Sequence, residues 1–156
     1  MQPIKLYNTP IEIAIRCLLN LNFSDNGTDA ERLMFFDYLC LNTADVGGPI
    51  SIHPPIPNRG IQIFGRKELI KKALALLLSK ELIDVTANDS GFNYIINQSG
   101  KKFLDYFQTQ YFNELREKIN WTQQYFREMS NSQMREFIDI NLEKWGGEFL
   151  SDQTRD

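Results

Sequence analysis

The chain has 156 residues and reads as one domain, on the usual size of roughly 150 residues per domain. Hydrophobic residues at 42% and charged residues at 24% are globular proportions and exclude a disordered chain. Seventeen basic against twenty acidic residues give a net charge of −3, which disfavours a free-standing protein living mainly on phosphate contacts.

Two cysteines and one histidine narrow the chemistry further. Cys17 and Cys40 lie inside apolar helical patterns and are expected as buried, reduced thiols. His53 stands alone in a Pro-rich stretch, so neither a zinc site nor a Ser-His-Asp or Cys-His set can be assembled. Glu12 and Arg16 interrupt the only apolar run near the N-terminus, which speaks against a signal peptide. No apolar run reaches the ~18–20 residues of a membrane span. The expectation is a soluble, cytoplasmic protein without cofactor or metal and without enzymatic activity.

In chain order, Thr9-Pro10-Ile11-Glu12 predicts a capped helix start, with Glu12 reaching back to close a capping box. Ile11, Ala14, Ile15 and Leu18 then recur at helical spacing to about Asn22. Thr28-Asp29-Ala30-Glu31 predicts a second capping box, followed by Leu33, Met34, Tyr38, Leu39 and Leu41. Residues 43–60 hold three Gly and four Pro and predict a long connection without regular structure. Compact domains seldom carry such a loop unless it is functional or packs over the core. Ile61-Gln62-Ile63-Phe64 predicts a short strand.

A third main helix spans about Arg66 to Lys80, with Leu69, Ile70, Ala73, Leu74, Leu77 and Leu78 as its apolar stripe. Residues 82–86 and 92–96 alternate around Asn88-Asp89-Ser90-Gly91 and predict a β-hairpin. Leu104, Phe107, Tyr111, Leu115 and Ile119 predict one long helix to about Glu128, either continuous or broken near Gln108–Gln110. Ser130 to Gln133 is another capping signal, and the last helix carries Met134, Phe137, Ile138, Leu142 and Trp145 before Gly146-Gly147.

This order is that of a winged helix-turn-helix, in which the third helix is the recognition helix and the hairpin the wing. The expected fold is mainly α with a small β-hairpin: a winged-helix-like core over 7–100, a helical extension over 101–150 packed on it or on a partner, and a frayed tail over 151–156. Residues 59–102 carry eight positive and four negative charges, a local +4 that leaves −7 elsewhere. Arg66, Lys67, Lys71 and Lys72 are therefore candidate phosphate contacts, or simply a solvated helix face. The wing tip holds Asp89 and no cation, which counts against its entering a DNA groove.

The stretches 7–21 (YNTPIEIAIRCLLNL), 37–60 (DYLCLNTADVGGPISIHPPIPNRG) and 66–83 (RKELIKKALALLLSKELI) resemble the middle-component proteins of bacterial ABC three-component conflict systems. The small accessory subunit of Lamassu-type anti-phage defence belongs with these. The resemblance spans about residues 7–100, and GGP-x-S-x-HP is its most specific part. It implies a winged-helix-like, non-catalytic subunit that works with an SMC-like ABC ATPase and a separate effector, often a nuclease. By matching position the family's motif falls on Asp45, Gly47, Gly48, Pro49, His53, Pro54, Pro57 and Arg59.

The first expectation is thus an adaptor, with Asp45, Gly47, Gly48, Pro49, Ile52, His53, Ile56 and Arg59 as partner-binding candidates. Ile50, Ile52 and Ile56 alternate and either present one apolar edge or point inward and close the core. Asp45 and Arg59 are possible mutual partners at the loop ends. The alternative is a dimeric winged-helix transcription regulator. Gly47-Gly48-Pro49 lacks the Lys-Ser/Thr of a phosphate-binding loop, so any ATP binds elsewhere.

Overall fold

The computed structural model describes residues 9–51 and 62–141. They form a mainly helical fold with a small antiparallel hairpin. Helix α1 (Pro10–Asn22) starts as its sequence predicts: the Thr9 hydroxyl accepts from the Glu12 amide at 3.2 Å, and Pro10 takes the first turn. The capping box does not close. Glu12 instead accepts the Tyr111 hydroxyl at 2.6 Å and lies 3.8 Å from Arg16. Nor is α1 amphipathic in the expected sense. Ile11 is exposed, while every residue from Glu12 to Leu21 is buried, because four of the later helices and the hairpin pack around it.

Helix α2 (Ala30–Leu41) is equally enclosed, with Leu33 to Leu41 buried throughout. Its N-cap is Asp29, which accepts from the Arg32 amide at 2.8 Å, one residue later than the box predicted from Thr28. Thr28 is engaged elsewhere. It exchanges two backbone hydrogen bonds with Tyr94, at 2.9 and 2.8 Å, as an isolated antiparallel bridge.

After a single 3₁₀ turn at Thr43–Val46, the segment predicted as a strand is a helical turn, α3 (Gln62–Gly65). The edge of the hairpin at Tyr94 is already occupied by Thr28, and Ile63 is fully buried. Helix α4 (Lys67–Ser79) buries Ile70, Ala73, Leu74 and Leu77 against α1 and α2. Strands β1 (Ile83–Asn88) and β2 (Gly91–Ile96) pair from Ile83↔Ile96 out to Asn88↔Gly91 around Asp89-Ser90. Their bases, Ile83 and Ile96, join the core, while Val85 and Phe92 project from it.

Helix α5 (Gln98–Leu104) begins at Asn97, whose side chain accepts from the Gly100 amide at 2.9 Å. A Cβ at Gly100 would lie 2.3 Å from the Leu82 carbonyl, so only glycine lets this helix approach the start of the hairpin. The predicted break falls at residues 105–109, and α6 (Gln110–Tyr125) follows from the Thr109 cap. Helix α7 (Asn131–Asn141) opens with a reciprocal box: the Gln133 amide donates to the Ser130 hydroxyl, and the Ser130 amide to the Gln133 side chain. Leu142 and Trp145 lie outside the described residues.

The C-terminal helices pack on the rest of the chain. Helix α6 packs along α2, burying Leu115 and Ile119, and α7 buries Met134 and Ile138. Arg32 of α2 donates to the carbonyls of Phe126 and Met129 at 3.0 and 2.7 Å and to the Asn131 side chain. Asn131 in turn donates to Asp29 at 2.6 Å, and Arg135 pairs with Glu31. No helix among the described residues is long and apolar enough to cross a membrane.

Candidate functional site

The Gly-rich connection leaves α2 in a fixed shape. Gly47 takes a left-handed conformation at φ +76°, which L side chains rarely adopt, and closes the 3₁₀ turn. The Gly48 amide donates to the Thr43 carbonyl at 3.0 Å, and the Thr43 hydroxyl to the Pro49 carbonyl at 2.7 Å. The Ala44 amide donates to the Ser51 hydroxyl at 3.1 Å. Tyr38, fully buried in α2, donates its hydroxyl to Asp45 at 2.9 Å and ties the turn to the core. Residues 43–51 therefore fold back on themselves, and little of their backbone freedom is left to lose on docking.

Gly48 is glycine for a different reason. A Cβ there would lie 2.5–2.7 Å from three ring carbons of Trp121. Trp121 stacks on Tyr125, one helical turn further along α6, with ring centroids 5.0 Å apart and planes 20° apart. Tyr125 meets the buried Phe126 edge-on at 4.8 Å. The loop thus rests on an aromatic ladder whose outer members reach solvent: Tyr125 is 54% exposed, and Ile50 of the loop is 86% exposed.

Of the predicted partner-binding residues, Asp45, Gly47, Gly48 and Pro49 come together here. Ile52, His53, Ile56 and Arg59 lie outside the described residues, and so does the expected Asp45–Arg59 pairing. Trp121 and Tyr125 belong to this surface and were not among the expected residues. Their signal is an aromatic pair at i, i+4 lying off the Leu115–Ile119 stripe of α6.

The predicted cationic face of α4 is altered in one member. Lys67, Lys71 and Lys72 are exposed, and Lys71 pairs with Glu68 at 3.6 Å. Arg66 points inward instead. Its guanidinium donates to Asp37 at 2.5 Å, and only 10% of its side chain is accessible. Asp37, itself 1% exposed, also accepts from the fully buried Arg16 at 2.6 Å. One buried carboxylate thus joins α1, α2 and the start of α4. Arg66 is thereby engaged with Asp37, apart from the exposed lysine face with which it was grouped as a candidate phosphate contact.

Burial works to raise the Asp37 carboxyl, and the two guanidiniums, Arg16 foremost, outweigh it and hold it below its ordinary value. Arg16 is correspondingly held above its ordinary value by Asp37, against the opposing effect of burial. Cys17 and Cys40 flank this network as buried free thiols. Burial, with the Asp37 charge adding to it, raises Cys17 well above the thiol range and pushes Cys40 up to about 12. Neither is a nucleophile at neutral pH. Among the described residues, no group of three or more His, Cys, Asp or Glu is placed to hold a metal ion.

The family model of the ABC-three component (ABC-3C) system Middle Component 2 matches residues 6–148. The chain belongs to this family. No curated protein and no solved structure is matched. The matched span of this middle component takes in both the Gly47–Ser51 loop and the α6 aromatics on which it rests, as well as the buried Arg16–Asp37–Arg66 network.

Proposed function

We propose that this middle component is a non-catalytic adaptor of a cytoplasmic anti-phage defence complex built on an SMC-like ABC ATPase with a separate effector nuclease. What supports this reading is the seating of Gly48 on Trp121 in a hydrogen-bonded loop whose Ile50 is exposed, as is Tyr125 stacked on Trp121; we take Pro49, Ile50 and this aromatic pair as the docking surface. The adaptor acts by differential binding: it favours one conformation of the ATPase and holds the effector inactive until the DNA signal shifts that equilibrium. Ile52, His53, Ile56 and Arg59, outside the described residues, are the further partner-binding candidates of this reading.

Co-purification from the native operon tests the reading. Ile50→Ser with Tyr125→Ser should leave the melting temperature of the isolated subunit nearly unchanged and abolish capture of the other two components. Retained capture by this doubly substituted protein sinks the docking surface. A marked fall in its melting temperature shows that these side chains close the core instead.

A second reading, a dimeric winged-helix DNA-binding regulator, is favoured by the Thr28–Tyr94 bridge. That bridge supplies a strand position between α1 and α2, and α4 followed by β1 and β2 completes the winged-helix order. Lys67, Lys71 and Lys72 would then meet phosphates. The uncharged, partly apolar face of the wing around Val85 and Phe92 speaks for a protein contact. Weak, salt-sensitive DNA binding, lost on Lys71→Glu with Lys72→Glu, accords with the adaptor. Tight sequence-specific binding at physiological salt would establish the regulator.

A further inference from the structure

A polar cleft of about 400 Å³ opens between α5, the first turns of α6 and the end of α1. Its cations come from two helices: Lys101 and Lys102 from α5, and Arg116 from α6. Asp105 is the one carboxylate in its lining, so the cleft is locally +2 in a chain of net −3. Lys101 and Lys102 make no ion pair among the described residues, with Asp105 or with any other acid.

Arg116 is held in place before any ligand arrives. One terminal nitrogen donates to the Leu104 carbonyl at 2.8 Å and the other to the Asn113 side chain at 3.0 Å. The guanidinium is thereby fixed at the cleft wall, while its Nε makes no hydrogen bond among the described residues. The amides of Asn22 and Gln98 add neutral donors at the rim, and Leu104 is the single apolar residue of the lining. A cleft so polar does not suit the apolar ligands that fill most pockets of this size. Fixed guanidinium, free ammonium and amide donors are what a phosphate oxygen requires.

The lysines alone have a simpler explanation. They occupy the last turn of α5, where cations complement the helix dipole. That accounts for neither Arg116, which comes from another helix, nor the volume between them.

We propose that this cleft binds a phosphate-bearing anion, through Lys101, Lys102 and Arg116. The site is independent of the loop surface and of the adaptor reading. Its source is either a free polyphosphate-type anion or a phosphate of a nucleic-acid strand, and both present the same oxygens.

Calorimetric titration of the full chain with inorganic tripolyphosphate at low salt tests the site. Lys101→Ala with Lys102→Ala should weaken binding by about tenfold or more, and the doubly substituted Lys101→Arg, Lys102→Arg protein should keep it within about threefold. Lys71→Ala with Lys72→Ala makes the same change of net charge on α4 and should alter binding by less than about twofold. Equal losses from the two alanine pairs would show diffuse electrostatics and overturn the proposal. So would absence of binding by the unsubstituted chain at millimolar ligand, or tighter binding of poly-glutamate than of tripolyphosphate. Displacement of tripolyphosphate by both 5′-phosphorylated and 5′-hydroxyl oligonucleotides assigns the source to a strand backbone. Displacement by the phosphorylated one alone assigns it to a terminal phosphate, and displacement by neither to a free polyanion.

Discussion

Replacing Asp37 by alanine removes the one carboxylate between Arg16 and Arg66 and leaves two buried cations behind. Their fates differ. Arg16 keeps Glu12 at 3.8 Å, whereas Arg66 makes its only ion pair among the described residues with Asp37, and its Nε already lacks a partner. Breaking a buried pair by removing one partner costs about 3–5 kcal/mol, because the remaining charge is desolvated without compensation. A domain of this kind has about 5–15 kcal/mol of stability in all. At about 2–4 °C per kcal/mol for this size, Asp37→Ala should lower the melting temperature by roughly 6–20 °C. Asp37→Asn keeps the shape and one acceptor and should fall between. The triple replacement Arg16→Met, Asp37→Leu, Arg66→Met removes these three charges together, leaves Glu12 with its Tyr111 hydrogen bond, and should recover part of the loss, since apolar replacement of a buried ion network is often neutral or stabilising by ~1–4 kcal/mol. The network also has an acid signature. The folded Asp37 carboxyl lies below its ordinary value, so its contribution is complete above about pH 4 and disappears as pH falls through the folded value. Thermal and urea unfolding followed by circular dichroism between pH 2.5 and 7, as a proposed range on either side of that titration, reads both effects. An Asp37→Ala protein within about 1 kcal/mol of the unsubstituted chain at neutral pH would refute the argument that this carboxylate holds two desolvated cations.

The two loop glycines should fail differently. Gly47→Ala meets no neighbouring atom and should cost about 1–2 kcal/mol through its left-handed backbone alone, whereas Gly48→Ala strikes Trp121, should cost about 1–3 kcal/mol, and should couple non-additively to Trp121→Ala in a double-mutant cycle. At alkaline pH, burial holds Cys17, Cys40 and Tyr111 protonated, with the Glu12 hydrogen bond adding to it at Tyr111. Their stabilisation is therefore complete below the unfolded values and declines as pH rises from about 8.5, and Cys17→Ala with Cys40→Ala should flatten the loss up to about pH 10, where unfolded tyrosine begins to ionise. Hydrogen exchange should protect the Thr28 amide, bonded to the Tyr94 carbonyl at 2.9 Å, far more than its turn-rich surroundings suggest; exchange as fast as that of Asn26 would remove the bridge.

What could be read in the sequence was local. The Thr9 cap, the hairpin around Asp89-Ser90, the break before Gln110 and the Ser130 box each rest on chemistry within a few residues, and each is present. The capping assignment at Thr28 missed by one residue because a partner 66 positions away, Tyr94, takes both of its backbone groups. The strand expected at 61–64 is a helical turn over Gln62–Gly65, and the strand position beside β2 is taken by Thr28 instead. Arg66 illustrates the deeper limit. A cation at the start of a helix with an exposed lysine face reads as solvated, and nothing local says otherwise. The contrary signal lay at a distance, in Arg16 and Asp37, each a single charge inside an otherwise apolar stretch of helix. Charges so placed need opposite partners, and two buried carboxylates, Glu12 and Asp37, to the one cation Arg16 is a count that brings Arg66 inward.

The Gly48 site follows the same logic. Two adjacent glycines suggest one flexible turn, but only Gly47 is needed for its backbone angle. Gly48 is needed for the space that Trp121 fills, 73 positions along the chain. An i, i+4 aromatic pair off the buried stripe of α6 indicates that its face covers something, without naming what. Packing α6 along α2 brings that face to the segment leaving α2, and the C-terminal extension thereby becomes the platform that sets the loop's shape. The proposed docking surface, composed this way, is lost whenever either half moves. Substitutions at the interface of α6 with α2, around Leu115 and Ile119, should therefore weaken partner capture even though neither side chain reaches solvent.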